Sequence, residues 1–595
     1  MSVASRRSLA SKDAHKSREA KFMDRTAWIA VALCVVGLLV WEVYLAKQMA
    51  PRPAAAGAAG QLSPTATPAT LSPTPSATPV AEATPGTGEA VPAFAEKIET
   101  LRNSDVELRL TSRGGGIKEA VLLKQIAEHG QLVVLNSAQS APIGAILEQP
   151  ATPTLPEFAV SASSDSAVQF ERTTPEQVAV RKKFQFQKSP ENKDNYVIEM
   201  DVDLENRGDK PYQTGGYFVG LGSAGPIHSK DYPSFTRLVW CIDGRAKGID
   251  VGWFGASGGF FGVGQRAARP FYQESLNGAE WVAVSNQFFT TLMAPLTAKA
   301  TGVWGRSFDV EHAPGQKLPA VEGALGMPGF QLQPGQTYNA RFEIYAGPKL
   351  YHRLAQLPHN EAEVMDFGMF KIVCQFLLNF MNLLHSWLHD YGLAILALTT
   401  IIKLTLWPIQ NKANRSMRQM AALSPKMQEL RDKYKDDPTR MNQEVMKLYK
   451  EYGINPVGGC LPMMIQIPIF FGLFKMLGQA VELRNAKFLW VKDLSQPDTI
   501  AHLPLLGWPI NIIPLCMAAT QIWLMAMTPK TGDPTQRRIA MFMPLIFLFI
   551  CYNFAAALAL YYTAQNLFSI LQFYQNRRQP MPTLEKVAPA GKRKR

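Results

Sequence analysis

Cysteine is scarce in this sequence, and its placement excludes the structural uses that cysteine most often has. Six cysteines occur in 595 residues, and none of them forms a CxxC pair of the kind that structural zinc sites use. Only Cys241 lies between residues 94 and 357, the domain predicted below to be exported, and one cysteine cannot form a disulfide within that domain. The sequence therefore predicts neither a zinc site nor a disulfide framework.

Catalytic motifs are also missing. The chain contains no HExxH pair and no glycine-rich loop that ends in Lys-Ser or Lys-Thr, so neither a zinc peptidase nor a nucleotide-driven machine is indicated. We therefore predict a protein that is not an enzyme and that uses no cofactor, no metal ion and no small-molecule substrate.

The charge is strongly basic, with a formal net charge of +13. Such a charge can indicate nucleic-acid binding, but here the basic residues cluster beside apolar segments, where they report membrane orientation. The mean hydropathy near zero is an average over very unlike segments.

The N-terminal region is predicted to contain an anchor and a tether. Residues 1–27 are basic and predicted to be cytoplasmic, and the apolar run over 28–45 is longer than the roughly 7 to 15 residues of a signal-peptide core. We predict that this run is the first transmembrane helix, an uncleaved signal anchor, although the alanines at 54–56 leave cleavage as the alternative. Residues 46–93, rich in Pro, Ala and Thr, are predicted to be disordered.

Alternation of apolar and polar residues predicts strands in the next region. In the segment NYVIEMDVDLE, the apolar residues from Tyr196 to Leu204 share one face and the acidic residues lie on the other. Similar patterns recur between clusters of Gly, Pro and Asn, so residues 94–357 are predicted to form a large all-β sandwich.

Helical periodicity begins after Pro358. Polar residues from Lys371 to His389 recur every three or four positions, opposite an apolar stripe that includes Cys374 and Leu388. This pattern predicts an amphipathic helix within residues 358–390 that lies along a membrane surface. His385 and His389 have the spacing of a metal pair, but no third ligand is evident, which favours a plain surface position.

Four apolar stretches follow, over residues 391–409, 458–480, 510–527 and 539–573. The last is too long for one crossing of about 20 residues, and arginines flank both of its ends, so it is predicted to be a hairpin that turns near Asn553. With the N-terminal anchor this gives a membrane α-helical bundle of six spans, five of them in a core over residues 391–575.

The loops predict the orientation. Residues 411–457 carry ten Lys or Arg against six acids, whereas residues 481–509 carry three of each. Because basic loops stay in the cytoplasm, the first loop, both termini and the basic tail 576–595 are predicted to be cytoplasmic and the β domain exported. The first loop is predicted to form a helical hairpin, which either only connects two spans or, as its length and charge favour, docks substrates. The candidate docking residues are Asp437, Arg440, Gln443, Glu444 and Tyr449.

Polar residues within membrane spans are costly and are therefore the candidates for function. Lys403 in the second span is the one of greatest interest, because no acidic residue in the other spans is an obvious partner for it. Either its side chain reaches the cytoplasmic interface, or it lies in a wet, cationic groove. The groove would contain these residues: Thr399, Thr400, Lys403, Gln466, Thr520, Gln521, Tyr561, Tyr562, Gln565 and Asn566.

Several motifs together resemble a known family. The segments NPVGGCLPMMIQIPIFFGLFKML, DDPTRMNQEVMKLYKEYGINP and ALYYTAQNL are similar to the signature of the YidC/Oxa/Alb membrane insertases, and WVAVSNQFFTTLM and IYAGPK resemble the periplasmic β domain of the Gram-negative members. The resemblance implies an inner-membrane insertase and chaperone with a positively charged groove. In this family an arginine usually stands where this chain has Lys403, so the charge is kept but the bidentate fork is lost.

The resemblance also implies partners. Nascent membrane proteins would be the substrates, and the protein would act alone or with the Sec translocon. The basic loops and tail add membrane lipids and the ribosome as candidate contacts. A small-solute transporter is the alternative function, and an intramembrane protease would need a nucleophile beside Lys403, for which the span serines Ser386 and Ser569 have no recognisable catalytic context.

Overall fold

A computed structural model describes residues 95–578 except 139, 153, 188–194, 257–265, 314, 436, 455–456, 504–506 and 529–533. The predicted anchor and tether and the tail from residue 579 lie outside the described residues. The strands are β1 Ile98–Arg102, β2 Val106–Thr111, β3 Gly116–Ile126, β4 Leu132–Leu135, β5 Ile146–Leu147, β6 Ala159–Ser163, β7 Ala167–Thr173, β8 Val178–Phe186, β9 Val197–Asn206, β10 Tyr212–Ala224, β11 Arg237–Ile242, β12 Arg245–Asp250, β13 Tyr272–Ala279, β14 Trp281–Ser285, β15 Phe289–Pro295, β16 Ala300–Ala313, β17 Gln316–Leu332, β18 Thr337–Pro348, β19 Thr499–His502 and β20 Pro509–Asn511.

Two large antiparallel sheets form the β domain. One has nine strands in the order β12-β11-β14-β15-β18-β9-β8-β7-β6, and the other has five in the order β13-β16-β17-β10-β5. They pack closely where glycine replaces a side chain: a Cβ on Gly323 of β17 would lie 2.7 Å from Leu238 Cδ1 on the facing sheet. A four-stranded sheet, β1-β2-β3-β4, completes the domain. The predicted sandwich is therefore confirmed in its β-rich character.

Strand β9 shows why the sequence pattern identified this region. Ile198, Met200 and Val202 are buried in the core, while the acidic residues between them are half-exposed. Period-two alternation places one side-chain set on each face of a pleated strand, and burial of the apolar set fixes the register.

Eight helices of ten or more residues follow in the described part of the chain. They are α1 Lys371–Leu388, α2 Tyr391–Ala422, α3 Ser424–Lys433, α4 Pro438–Glu451, α5 Val457–Leu477, α6 Ile512–Met527, α7 Pro534–Cys551 and α8 Ala556–Arg577. The long apolar stretch that ends the core divides into α7 and α8 at residues 552–555, so the predicted turn near Asn553 is confirmed.

Residue 411, predicted as the boundary between the second span and the cytoplasmic hairpin, lies inside one continuous helix, and the level at which the chain leaves the membrane stays a prediction. Helix α2 continues through Pro408 and beyond the predicted span to Ala422. Its end is set further on, because Pro425 has no N–H to continue the helical ladder and instead stands in the first turn of α3. The hairpin proper consists of α3 and α4, which pack together through a small apolar cluster of their own that includes Met427 and Tyr452.

The described helices do not confirm six spans. By length and apolar composition, α2 is the one described helix that can cross a membrane by itself, and three shorter apolar helices cover Ile465–Leu477, Ile512–Met527 and Phe542–Cys551. The first predicted span lies outside the described residues, so the count of six stays a prediction.

The amphipathic helix differs from its prediction in bounds and in the role of its apolar stripe. Within residues 358–390 the α-helix covers only Lys371–Leu388, and short 3₁₀ turns precede it. The predicted apolar stripe is buried against the protein from Cys374 to Leu384, whereas Leu388 at its end is 41% exposed. A second apolar face, Ile372, Phe376, Leu383 and Trp387, is exposed instead. The helix thus has two apolar stripes, because residues 372 and 376, and again 383 and 387, are spaced by four beside the first stripe. The sequence analysis recognised only the first.

The β domain packs directly on one end of the helical bundle. Gln287 Nε2 donates to the carbonyl of Gly478, just beyond α5, at 2.8 Å, and Lys349 Nζ donates to Gln479 Oε1 at 3.0 Å. Tyr232 donates its hydroxyl to the carbonyl of Asn553, between α7 and α8, at 3.1 Å. One continuous hydrophobic core includes buried residues of both parts.

Candidate functional site

Helix α8 carries a polar face along its length. Gln565, Ser569, Gln572 and Asn576 are all buried and are spaced by three or four residues, so they lie on one side of the helix. This face meets α2 and α5. A row of polar contacts between helices is therefore the feature from which the site is built.

Lys403 of α2 lies at the middle of this row. Its side chain is only 5% exposed, and its ammonium donates to Ser569 Oγ at 2.8 Å. Ser569 in turn donates to the carbonyl of Gln565 one turn earlier, at 2.9 Å. Among the described residues no carboxylate forms an ion pair with Lys403, so a positive charge is held in the bundle by a hydroxyl alone.

One turn from this pair, α5 reaches the same face. Gln466 Nε2 donates to Gln565 Oε1 at 3.2 Å, and the buried rings of Tyr561 and Tyr562 lie beside these amides on α8. The predicted groove residues Lys403, Gln466 and Gln565 thus come together within two helical turns of α8.

The two predicted threonines of α2 do not add free hydrogen-bonding groups. Thr399 donates its hydroxyl to the carbonyl of Ile395 and Thr400 donates to that of Leu396, both within their own helix. Thr399 is fully buried and Thr400 is half-buried. Both hydroxyls are already hydrogen-bonded within α2, so these threonines contribute small side chains to this face rather than donors for a substrate.

The remaining predicted residues form a second cluster on another side of α8. Asn566 Nδ2 lies 3.2 Å from Thr520 Oγ1 and 3.5 Å from Gln521 Oε1 of α6. Thr520 and Gln521 are half-buried. The structure therefore divides the ten predicted residues between the α2–α5–α8 face and the α6–α8 face.

The sequence reasoning missed the part of the row nearest the predicted cytoplasmic hairpin. Gln572 Nε2 donates to Asn411 Oδ1 at 2.7 Å, and Asn576 Nδ2 donates to the same oxygen at 3.2 Å. Arg418 donates to the carbonyl of Asn576 at 2.8 Å. The spacing of Ser569, Gln572 and Asn576 after Gln565 was the signal in the sequence, because it continues one helical face.

Lys403 packs closely against α8, and the wet groove, one of the two alternatives drawn from the sequence, stays a prediction. Ser569 and Gln572 of α8 pack against α2 beside it, while Gln565 meets α5. The structure does place a nucleophile beside Lys403, a point that the sequence reasoning also missed. Ser569 lies within a regular helix whose backbone N–H groups are engaged in its own ladder, so no pair of N–H donors is available there to bind an oxyanion.

The candidate docking residues are spread over the α3–α4 hairpin. Asp437 caps α4 by accepting from the backbone N–H of Arg440 at 3.0 Å, and the Arg440 guanidinium lies 5.5 Å from the centre of the Tyr434 ring. Glu444 pairs with Lys447. Gln443 is exposed.

Tyr449 packs with the apolar cluster that joins the two helices of the hairpin. Its hydroxyl lies 3.3 Å from Met427 Sδ. Tyr449 therefore helps to hold the two helices together, Asp437 caps α4, and Asp437, Arg440 and Gln443 are the exposed candidate residues.

No group of three or more metal-binding side chains occurs in the described residues. The ring of His385 stacks on Tyr391 with 3.7 Å between centres, while His389 follows the end of α1 with φ +55°. Their contacts are those of helix-end residues.

Comparisons with known proteins cover both parts of the chain. The family model described as YidC periplasmic domain matches residues 99–380. The family model described as 60Kd inner membrane protein matches residues 383–582. The membrane protein insertase YidC of Syntrophus aciditrophicus (strain SB) is 30% identical over 582 residues, which cover 94% of this chain and 100% of that protein. The insertase YidC of Geobacter metallireducens (strain ATCC 53774 / DSM 7210 / GS-15) is 28% identical over 572 residues, which cover 92% of this chain and 97% of that protein.

A crystal structure of an active YidC insertase, with its first transmembrane domain resolved, is 19% identical and covers 82% of this chain and 96% of its own, with a TM-score of 0.33.

The two family matches take in the β sandwich and the helical bundle, and they define an inner-membrane protein with a periplasmic β domain. The chain belongs to the YidC family of membrane protein insertases.

Proposed function

We propose that this chain inserts nascent hydrophobic segments into the inner membrane, and that the polar row around Lys403 receives the hydrophilic end of each segment. The observation that carries the proposal is a buried ammonium whose partner is the neutral hydroxyl of Ser569. An unpaired charge inside a helical bundle is costly, so it favours any ligand that brings a carboxylate or a chain of carbonyl oxygens.

The substrate enters from the cytoplasmic side. The α3–α4 hairpin makes the first contact with the nascent segment, through its exposed residues Arg440 and Gln443. The amides of Gln572, Asn576 and Asn411 then lie between the hairpin and Lys403. These hydrogen bonds can be replaced by hydrogen bonds to the substrate backbone at little cost, because the two kinds of amide hydrogen bond have similar free energies.

Passage is driven by the substrate rather than by the insertase. Burial of the apolar segment in lipid supplies the free energy, and an acidic tail that moves outward gains about 2.3 kcal/mol per charge per 100 mV of membrane potential. Lys403 and the amides of Gln466 and Gln565 lower the barrier by solvating the tail part-way across. The segment then leaves sideways into the lipid.

The topology that this mechanism needs has six spans, cytoplasmic termini and a periplasmic β domain. The basic loop 411–457 and the contacts of the β domain with the opposite end of the bundle support it. The segments 1–27, 28–45 and 46–93 would be cytoplasmic N-terminus, anchor and tether. The protein acts alone or beside the Sec translocon, with the ribosome delivering nascent chains to the basic cytoplasmic face.

Insertion measured in cells depleted of the native protein tests the role of the charge. We expect Lys403→Arg to keep activity, and Lys403→Ala and Lys403→Glu to impair insertion of substrates with acidic tails more than of substrates with neutral tails. Lys412→Ala is the matched control, because Lys412 is an exposed cation on the same helix. Undiminished insertion by Lys403→Glu would defeat the proposal.

The small-solute transporter that was the alternative is not supported, because the matched relatives are insertases.

A further inference from the structure

The loop between α5 and α6 ends in a small hairpin that carries no charge. Strands β19 and β20 pair antiparallel, with Thr499 opposite Asn511. No Asp, Glu, Lys or Arg occurs between Asp498 and Lys530, a stretch that runs from β19 to beyond the end of α6. Charged residues are normally found on surfaces that face water, so the hairpin at 499–511, unlike the charged first part of the loop, is suited to another environment.

Apolar side chains of the hairpin point into open space. Trp508 is 70% exposed, and Ile500 and Leu503 are also exposed. Two further tryptophans beside helix ends share this property: Trp387 near the start of α2 is 72% exposed and Trp490 is 47% exposed. We name these five residues the exported aromatic surface.

Hydrogen bonds connect this surface to the ends of α6, α7 and α8. Asp498 Oδ2 accepts from Trp490 Nε1 at 3.2 Å and from the backbone N–H of Ile513, in the first turn of α6, at 2.8 Å. Asn511 Nδ2 donates to the carbonyl of Tyr552, between α7 and α8, at 2.8 Å. Trp490 and the base of the hairpin are thus fixed at the ends of three helices.

The length of α6 gives the hairpin a place relative to the bilayer. Its 16 residues span about 24 Å at about 1.5 Å per residue, less than a hydrocarbon layer of about 30 Å. If α6 ends at the inner lipid boundary, the residues that directly precede it reach no further than the outer boundary. A two-stranded hairpin has unpaired backbone groups on both edges, which excludes it from the hydrocarbon itself.

We infer that the exported aromatic surface rests in the headgroup region of the outer leaflet, with Trp508 as its deepest anchor. Indole rings favour this region because the ring is apolar and its N–H finds a polar partner there. The exposed face of α1, which includes Phe376 and ends at Trp387, continues the same surface. The lipid contact holds the periplasmic loop and the docked β domain at a fixed height above the membrane. The inference rests on the topology proposed above.

Spin labelling of the full chain in liposomes tests it. A nitroxide is attached to Trp508→Cys, to Ile522→Cys on the exposed side of α6, or to Ala162→Cys on the exposed strand β6, each in a chain whose six cysteines are replaced by alanine. Collision rates with oxygen, which enters lipid, and with a nickel chelate, which stays in water, report depth. We expect position 522 to favour oxygen strongly, position 508 to favour it less, and position 162 to favour the chelate.

The outcomes separate this inference from the proposed topology. Water-like behaviour at 508 with lipid-like behaviour at 522 would overturn the lipid anchor alone, and so would a label at 508 that neither reagent reaches. Water-like behaviour at 522 would overturn the topology as well. Should the cysteine-free chain fail to fold, quenching of tryptophan fluorescence by brominated lipid decides in the chain with its native cysteines. Trp508→Phe should reduce the fraction of the fluorescence that the lipid quenches. Trp281→Phe removes a fully buried ring and should not reduce it. Equal quenching in both variants contradicts the inference.

Discussion

The ammonium of Lys403 on α2 donates to the hydroxyl of Ser569 on α8, 166 positions further along the chain. We expect Ser569→Ala to destabilise the protein by about 1 to 3 kcal/mol, because it leaves a buried donor without its partner. Ser569→Thr keeps the hydroxyl and should be close to wild type. Thermal unfolding in detergent measures both, with Ser386→Ala, an exposed serine on α1, as the control.

The prediction also has a functional side. If Ser569 only holds Lys403 in place, Ser569→Ala should slow insertion of acidic-tailed substrates less than Lys403→Ala does. An alanine variant at 569 that unfolds at the wild-type temperature would show that the hydroxyl contributes nothing to holding the charge.

The amides of Gln466 and Gln565 form a second contact between helices. Replacing Gln466 by leucine leaves the buried amide of Gln565 without this partner, at a cost of about 1 to 3 kcal/mol, whereas replacing both removes the mismatch. We therefore expect the double variant to be more stable than the sum of the single variants predicts. A double-mutant cycle on unfolding measures this coupling, and strictly additive effects would contradict the contact.

Glycine at position 392 makes room for the loop between α5 and α6. A Cβ at this position on α2 would overlap the ring of Phe488. We expect Gly392→Ala to destabilise the protein by about 1 to 3 kcal/mol through overpacking. Gly215→Ala is the matched control, since a Cβ there meets open space. Proteolysis of the loop around residue 488 should increase only in the first variant.

Glu361, in the segment between the β domain and α1, is fully buried. Its Oε2 accepts from the backbone N–H of His359, and its Oε1 has no partner among the described groups. Burial, aided by Glu343 and Glu280, raises the pKa of this carboxyl from 4.5 to about 7. The folded state therefore binds a proton more tightly than the unfolded state does between these two values.

Because the pKa is raised on folding, stability falls as the pH rises from about 4.5 to about 7, by a total of about 3 kcal/mol from this group. We expect Glu361→Gln to flatten the dependence of the unfolding temperature on pH across this window. Glu107→Gln, at an exposed ion pair of β2, serves as the control. A wild-type profile that is already flat would contradict the assignment.

Local periodicity was enough to predict some elements. The alternation around Met200 predicted β9, and the arginines flanking residues 539–573 predicted that this stretch turns back on itself, as it does between α7 and α8. Glycine and proline positions were weaker guides. Pro408 stands inside α2, whereas Pro425 begins a helix, and only the surrounding packing decides between these two roles.

The sequence by itself determined which residues are polar within apolar segments and on which face of its own helix or strand each one lies, because that depends on a fixed number of residues per turn or pleat. Only the tertiary structure decided what those faces meet. It brought Ser569 to Lys403, buried the apolar stripe of α1 against the protein, and left Trp508 open to its surroundings. These outcomes depend on contacts between elements far apart in the chain, and no local pattern encodes the partner of a face.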